Sequence, residues 1–385
     1  MWRHIVSNFL TLLVVAVFLL GGVILWGQQQ YSARGPLSDA ICLRVEPGST
    51  MRRVSSRLES DGAVTSGAIF RIGAEYSEKD ALLKAGSWLI PEAASMAEIT
   101  DIITRGGAST CGTEVVYRLG VTSAEVVVRE LDAATGRYEE RAKFDPAAEG
   151  EVPAEFTQVR EQADTRYRVA LAEGVTSWQV VEGLKSVDVL TGEVAEVPPE
   201  GTLAPDSYEV SAGDTRESVL TRMSEAQAVI LAAAWEGRAE GLPLQSAQEA
   251  LILASIIEKE TGVADERRQV ASVFVNRLNR GMRLQTDPTV IYGVTEGKGV
   301  LGRGLRQSEL RGATPWNTYV IEGLPPTPIA NPGRASIEAA VNPDSTDYVF
   351  FVADGSGGHA FAETLDEHNR NVARWRAIEA ERGNN

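Results

Sequence analysis

Apolar and polar positions alternate along this chain with three different periods, and each period predicts a different kind of element. From Phe9 to Gly27, 19 residues run without a charge, and Thr11 is the one hydroxyl-bearing member. At ~1.5 Å per helical residue such a run reaches roughly 28 Å, about the thickness of a bilayer's hydrocarbon core. Arg3 precedes it and the segment GQQQYSARG follows it. By the positive-inside tendency, residues 1–8 form a cytoplasmic tail, 9–27 a transmembrane helix and 28–41 a linker that leads to the bulk of the chain on the other side. A cleaved leader is the alternative, but its apolar stretch would be unusually long and no small-x-small cleavage site follows.

A second pattern recurs through the first half: Gly-x-Thr with an apolar residue four positions after the Thr. It occurs at Gly48-Ser49-Thr50 before Val54, at Gly120-Val121-Thr122 before Val126, and at Gly174-Val175-Thr176 before Val180; Ala93-Ala94-Ser95 before Ile99 is a weaker fourth copy. Each predicts a strand, a turn and a helix capped by the hydroxyl, because a Thr or Ser oxygen satisfies an orphan N–H of the first turn. Strand-like runs at 41–45, 114–119 and 166–170 precede three of these caps. The stretch 132–165 is charged, rich in turn residues and poor in apolar anchors, which predicts a surface insertion. Pro198 to Ser207 is a turn-rich crossing into the second half.

The third pattern is a helical apolar stripe over Ser246 to Glu260, free of Gly and Pro, with Leu251, Leu253, Ile256 and Ile257. It carries Glu258 and Glu260, which at 100° per residue point about 200° apart. They cannot readily flank one glycosidic bond as a carboxylate pair, so at most one faces a common site. Periodicity does not choose between them. Asn276 sits within another apolar helical run, where a buried amide needs a partner, either structural or in a substrate. Asp287 followed by Pro288 reads as a helix start, with Asp at the N-cap and Pro at the next position. Gln285 has no such local role.

Composition narrows the chemistry. With 53 acidic and 37 basic residues the formal net charge is −16, which argues against a nucleic-acid partner, since such binding draws on Lys and Arg. The chain's 385 residues leave room for two or three domains. Cys42 and Cys111 both lie beyond the apolar run, where an oxidising compartment permits a disulfide; two unpaired, buried thiols are the alternative. Only His359 and His368 follow the span, and neither stands in a zinc motif, so no metal is expected. Gly297 to Gly302 satisfies G-x-G-x-x-G without the strand and helix of a dinucleotide site, so no cofactor is expected either. No G-x-S-x-G elbow suggests a serine hydrolase.

Residues 251–292, together with 317–333 and 350–361, resemble the catalytic domain of the endolytic murein transglycosylases, the MltG or YceG-like family. The run Ala254-Ser255-Ile256-Ile257-Glu258-Lys259-Glu260-Thr261 is similar to the family's active-site segment almost residue for residue, and EGTLAPDSY at 200–208 to its Glu-Gly-x-x-x-Pro-Asp-x-Tyr segment. The resemblance implies an α+β protein: a LysM-like α+β module at 42–112, a second α+β region at 113–222 and a mixed α/β catalytic domain at 223–385. It places the catalytic acid at Glu260, and Gln285, Tyr292, Asn317, Tyr319, Asn276 and His359 along a glycan cleft. Trp316 stands where the family often has Tyr, which leaves its role open. The implied activity is cleavage of the MurNAc-GlcNAc bond of nascent peptidoglycan to 1,6-anhydro ends, by a periplasmic domain anchored in the inner membrane and working with peptidoglycan synthases. A hydrolytic muramidase using Glu260 with Asp287, or a silent peptidoglycan-binding scaffold, are the alternatives.

Overall fold

A computed structural model describes residues 2–148, 150–162 and 164–383. In chain order its elements begin with helix α1 (Trp2–Ser32), strand β1 (Ile41–Val45), α2 (Met51–Ser60), α3 (Gly67–Tyr76), β2 (Gly86–Ile90) and α4 (Met96–Arg105). The middle holds β3 (Thr113–Leu119), β4 (Ala124–Asp132), β5 (Arg137–Phe144), α5 (Ala154–Arg160), β6 (Arg166–Leu171), α6 (Ser177–Lys185) and β7 (Ser207–Val210). Then come α7 (Arg216–Glu236), α8 (Ala247–Glu260), α9 (Arg267–Asn279), α10 (Asp287–Thr295), α11 (Gln307–Leu310), α12 (Arg334–Val341), β8 (Phe350–Ala353), β9 (His359–Ala362) and α13 (Leu365–Gly383). The protein is thus a mixed α+β chain with one N-terminal helix, Phe9–Ser32, of mean hydropathy 2.7, long and apolar enough to cross a membrane.

Compactness divides the chain into two units. The first comprises Met1–Val115, Val127–Lys143 and Glu151–Arg166. Its centre is the antiparallel pair β1–β2, with Leu43 opposite Trp88, under helices α2 to α4. The caps follow the local rule: Thr50 accepts from the Arg53 N–H, and Ser95 with Glu98 forms a reciprocal capping box. Val54, Leu58, Phe70, Ile99 and Ile103 fill the core, each at most 4% exposed. Cys42 and Cys111 form a disulfide with Cα atoms 5.8 Å apart, closing a loop around this core. The charged stretch at 132–165 contains β5 and α5, and α5 is held by buried Phe156 and Val159; two well-placed apolar residues suffice to seat it.

The second unit comprises Val116–Val126, Phe144–Gly150 and Tyr167–Asn385. Here the expected capped helix after Thr122 is corrected. Gly120 N–H donates to the Ser123 carbonyl in a tight turn, and the chain returns as strand β4. The β-branched run Val126 to Val128 outweighs the cap signal, because branched side chains pack better on a pleated surface than in a helix. Thr176, by contrast, caps α6 as its pattern predicts, with Gln179 completing the box. Strands β6 and β7 pair antiparallel, Tyr167 opposite Val210.

Helix α8 is the axis of this unit. Ser246 caps its start by accepting from the Glu249 N–H. The run from Ala250 to Ile257 is buried on every side, and α7, α9, α10 and α12 pack around it. A helix enclosed this way offers its last turn as the place where charged side chains can emerge. That turn carries Glu258, Lys259 and Glu260.

Candidate active site

The three charged residues that end α8 leave in three directions and meet three different environments. Glu258 accepts a hydrogen bond from the Gly333 N–H at 2.9 Å, at the start of α12. Lys259 donates to the Gly174 carbonyl at 3.2 Å, and burial holds its amine below the usual lysine range while the Glu258 and Glu200 carboxylates oppose that shift. Glu260 points toward the segment that leads into α10, where the Thr286 hydroxyl donates to its carboxylate. The predicted divergence of Glu258 and Glu260 is therefore realised as separate partners on separate elements.

Around Glu260 the polar groups are tightly fixed. Thr286 is 3% exposed; its N–H donates to the Thr318 hydroxyl at 3.0 Å, and its carbonyl accepts from the Thr289 hydroxyl at 2.7 Å. Thr289 and Thr318, both fully buried, share a further hydroxyl contact at 2.8 Å. This threonine cluster holds the one hydroxyl that touches Glu260. Arg277 on α9 is anchored by the carbonyls of Val349, Arg283 and Leu284, which leaves its positive charge in place beside the site. Burial raises the Glu260 carboxyl above its usual range; the Thr286 bond opposes this, the Asp287 charge adds to it, and His359 and Arg277 draw it back. Desolvation is the largest cause, and it favours the protonated form.

Asp287 is not the cap of α10. The helix begins at Asp287 with Thr286 in the cap position, no side chain caps it, and the Asp287 carboxylate instead accepts from the Tyr319 hydroxyl at 2.7 Å. With Thr286 in the cap position Asp287 is already the first helical residue, and its carboxylate is left to take the Tyr319 hydroxyl. The phenol of Tyr319 is pushed up by burial first and by Asp287 second. Gln285 is exposed, and its backbone lies in the left-handed region at φ 48°, unusual for a residue with a Cβ. Its N–H donates to the Thr318 carbonyl at 3.2 Å, so the same threonine segment holds the strained turn.

His359 is gripped twice by Glu266: its backbone N–H donates to one carboxylate oxygen at 2.9 Å, and its Nδ1 lies 2.8 Å from the other. A Cβ at Gly358 would fall 2.4 Å from that first oxygen, so a glycine there lets the carboxylate approach. Tyr292 donates to Glu200 at 3.2 Å, and its ring meets Trp316 edge-on with centroids 5.4 Å apart. Trp316 spends its indole N–H on Thr327. Beside them a cavity of about 300 Å³ is lined by Lys259, Thr176, Pro288, Ile291, Tyr292 and Ile329.

Two of the residues singled out in the sequence stand apart from this group. Asn276 donates both amide hydrogens to the carbonyls of Thr346 and Tyr348, at 2.7 and 2.9 Å. Asn317 is fully buried, donating to the carbonyls of Glu309, Leu310 and Gly312. Both hold loops in place. Sequence reasoning missed Thr286, Thr289, Thr318, Arg277, Glu266 and Glu200. Thr286 stands between Gln285 and Asp287, and Thr318 between Asn317 and Tyr319, but nothing local tells that a hydroxyl 26 residues on will reach Glu260.

A model of the YceG-like family matches residues 43–374. An endolytic murein transglycosylase of Bacillus subtilis is 45% identical over 125 residues, covering 32% of this chain and 34% of that protein. One from Streptococcus pneumoniae is 27% identical over 343 residues, covering 86% of this chain and 58% of that protein. The chain therefore spans less than two thirds of the length of these curated relatives. A solved yceG-like protein of Listeria monocytogenes aligns with 86% of this chain and 98% of its own at 25% identity and a TM-score of 0.46.

Proposed function

Because the chain belongs to the YceG-like family, whose match runs through both units, we propose that it is an endolytic lytic transglycosylase acting on peptidoglycan, with Glu260 as its single acid and base. The observation that carries this reading is the pairing of one desolvated, fixed carboxyl at the end of α8 with a neighbour, Glu258, that is committed to the Gly333 backbone. In the first half of the step the Glu260 carboxyl donates its proton to the oxygen leaving C1 of N-acetylmuramic acid. In the second, the C6 hydroxyl of the same sugar bonds to C1 and its proton returns to the carboxylate. The products are a 1,6-anhydro end and a free hydroxyl on the leaving sugar, and no water is consumed. One carboxyl can do both jobs because the proton it gives to the leaving sugar is replaced by the one it takes from the C6 hydroxyl.

Gln285, Tyr292, Tyr319 and His359 are proposed to contact the glycan, Gln285 from its exposed, strained turn. Asn276 and Asn317 would act by holding the surrounding loops. The first module, residues 42–112, is proposed as LysM-like and sugar-binding; its order of strand, helix, helix, strand with β1 and β2 antiparallel supports that reading. The second α+β region at 113–222 and the catalytic domain at 223–385 complete the proposed organisation. The apolar helix α1 is proposed to anchor the chain in the inner membrane, its N-terminus cytoplasmic and its catalytic part periplasmic, where nascent strands and their synthases would be at hand.

Asp287 favours a second reading, since a carboxylate beside Glu260 could serve a hydrolytic muramidase as base. Mass analysis of glycan strands digested by the purified chain separates the readings. Anhydro ends support transglycosylation, reducing ends support hydrolysis, and uncut strands support a scaffold.

A further inference from the structure

Helix α3 and the short turn after it carry exposed apolar side chains beside the C-terminal end of α1. Between β1 and Cys111 the large hydrophobic side chains left exposed are Ile72 at 67%, Tyr76 at 80% and Leu82 at 48%. Ile72 and Tyr76 are one helical turn apart on α3 and so share a face; Leu82 closes the short 3-10 turn that follows. The core-facing residues of α3 are Gly67, Phe70 and Ala74, so the exposed stripe is surplus to folding.

The same helix is docked on the end of α1. Tyr31 lies against Gly73, where an added Cβ would come within 2.3 Å of its ring. The Tyr31 hydroxyl donates to Thr100 on α4 at 2.9 Å, and the Gly35 N–H donates to the Ala93 carbonyl at 3.0 Å. The linker expected at 28–41 is helical over residues 28–32, because α1 runs unbroken from its apolar stretch to Ser32. Tyr31 stands four residues beyond Gly27, which at ~1.5 Å per residue is roughly 6 Å past the hydrocarbon edge. The polar headgroup layer on each side is about 5–7 Å deep. A module held at that height has its α1-facing side in the headgroup region.

We propose that the first unit is seated on the membrane face from which α1 emerges, with Ile72, Tyr76 and Leu82 inserted among the headgroups. The inference rests on the reading of α1 as a membrane anchor. A Tyr beside aliphatic residues suits the interface, where its ring is buried and its hydroxyl stays hydrated. Charge around the stripe is mixed, with Arg71 and Lys79 among Glu75, Glu78 and Asp80. The seat therefore depends on apolar insertion and needs no anionic lipid.

Cys42 and Cys111 are paired and no free thiol stands among the described residues, so a single introduced cysteine can carry a spin label. The test places labels at Ile72→Cys, Tyr76→Cys, Ser56→Cys on the exposed face of α2 and Leu19→Cys within α1, in the full chain in phosphatidylcholine nanodiscs. Collision with oxygen against a water-soluble nickel chelate reads depth. The seat predicts that the labels at 72 and 76 shift toward the oxygen-favoured values of position 19 and away from position 56. Labels at 72 and 76 that match position 56, while position 19 reads lipid, would overturn the seat and leave the stripe to a protein partner. A water-like reading at position 19 would overturn the anchor, and the seat with it.

Discussion

The core of the first module and the core around α8 bury polar groups for different ends. Between β1 and Cys111 the buried polar side chains are Ser55, Ser87, Ser95, Thr100 and Thr104, small hydroxyls, and Ser55, Thr100 and Thr104 bond backbone carbonyls three or four residues back while Ser95 caps its own helix. Around α8, Glu260, Lys259, Arg277 and Glu200 are drawn out of water with ionisable groups attached, and their pKa values move accordingly. Hydroxyls bonded locally serve folding. Ionisable groups desolvated by distant partners cost stability, and a site where several converge is where chemistry is expected.

The sharpest way to break that contrast is at Glu260. Glu260→Gln should cut the rate of strand cleavage by ~10² to 10⁴-fold while the circular-dichroism spectrum is unchanged, because Gln fills the space but exchanges no proton. Glu258→Gln should retain far more activity, since its amide oxygen can still accept from the Gly333 N–H. Equal losses in the two variants would erase the distinction drawn between them.

In the first module the expected effect is on stability. Replacing Cys42 and Cys111 together by Ser should lower unfolding stability by ~2 to 4 kcal/mol through the freed loop. Turnover on glycan strands should stay within twofold or so of the parent. A large loss of turnover with an unchanged melting temperature would show that the module does more than fold.

Much of this division was legible in the sequence, for reasons that are local. The bounds of β1, the caps at Thr50, Ser95 and Thr176, and the start of α8 at Ser246 follow from hydroxyls and apolar spacing within one turn. The divergence of Glu258 and Glu260 follows from helix geometry alone. What escaped depends on contacts between distant segments. Thr122 reads as a cap until the valines after it pair in a sheet. Asp287 reads as a cap until the helix starts one residue early and Tyr319, 32 residues later, donates to its carboxylate. Glu266 carries no signal at all until the strand β9 brings His359 to it.

Smaller effects test how Glu260 is tuned. Thr286→Val removes a donor that favours the carboxylate, so the Glu260 carboxyl should climb further and the alkaline limb of the pH–rate profile should move up. The rate itself should change by on the order of tenfold, the value of ~1.5 kcal/mol for a hydrogen bond to a charged group. A profile that does not move would remove Thr286 from the site.

The smallest expected effect is on stability against pH. A carboxyl whose pKa is raised by folding binds its proton more tightly in the folded chain, so stability falls as pH rises from the ordinary carboxyl range through the raised value. Glu260→Gln lacks this penalty. Its melting temperature should exceed that of the parent at neutral pH, and the gap should close below about pH 4, where the carboxyl is protonated in both states. A gap that persists at acid pH would point to packing and not to ionisation.

The central claim is that one carboxyl performs both proton transfers, and Asp287 is the group best placed to contradict it. The most direct measurement compares Asp287→Asn with Glu260→Gln on the same purified glycan strands, quantifying anhydro and reducing ends by mass spectrometry. The account predicts that Asp287→Asn still makes anhydro ends, with its alkaline limb shifted downward because a like charge beside Glu260 is gone, while Glu260→Gln makes almost none. An inactive Asp287→Asn beside an active Glu260→Gln, or reducing ends from the parent chain, would contradict it.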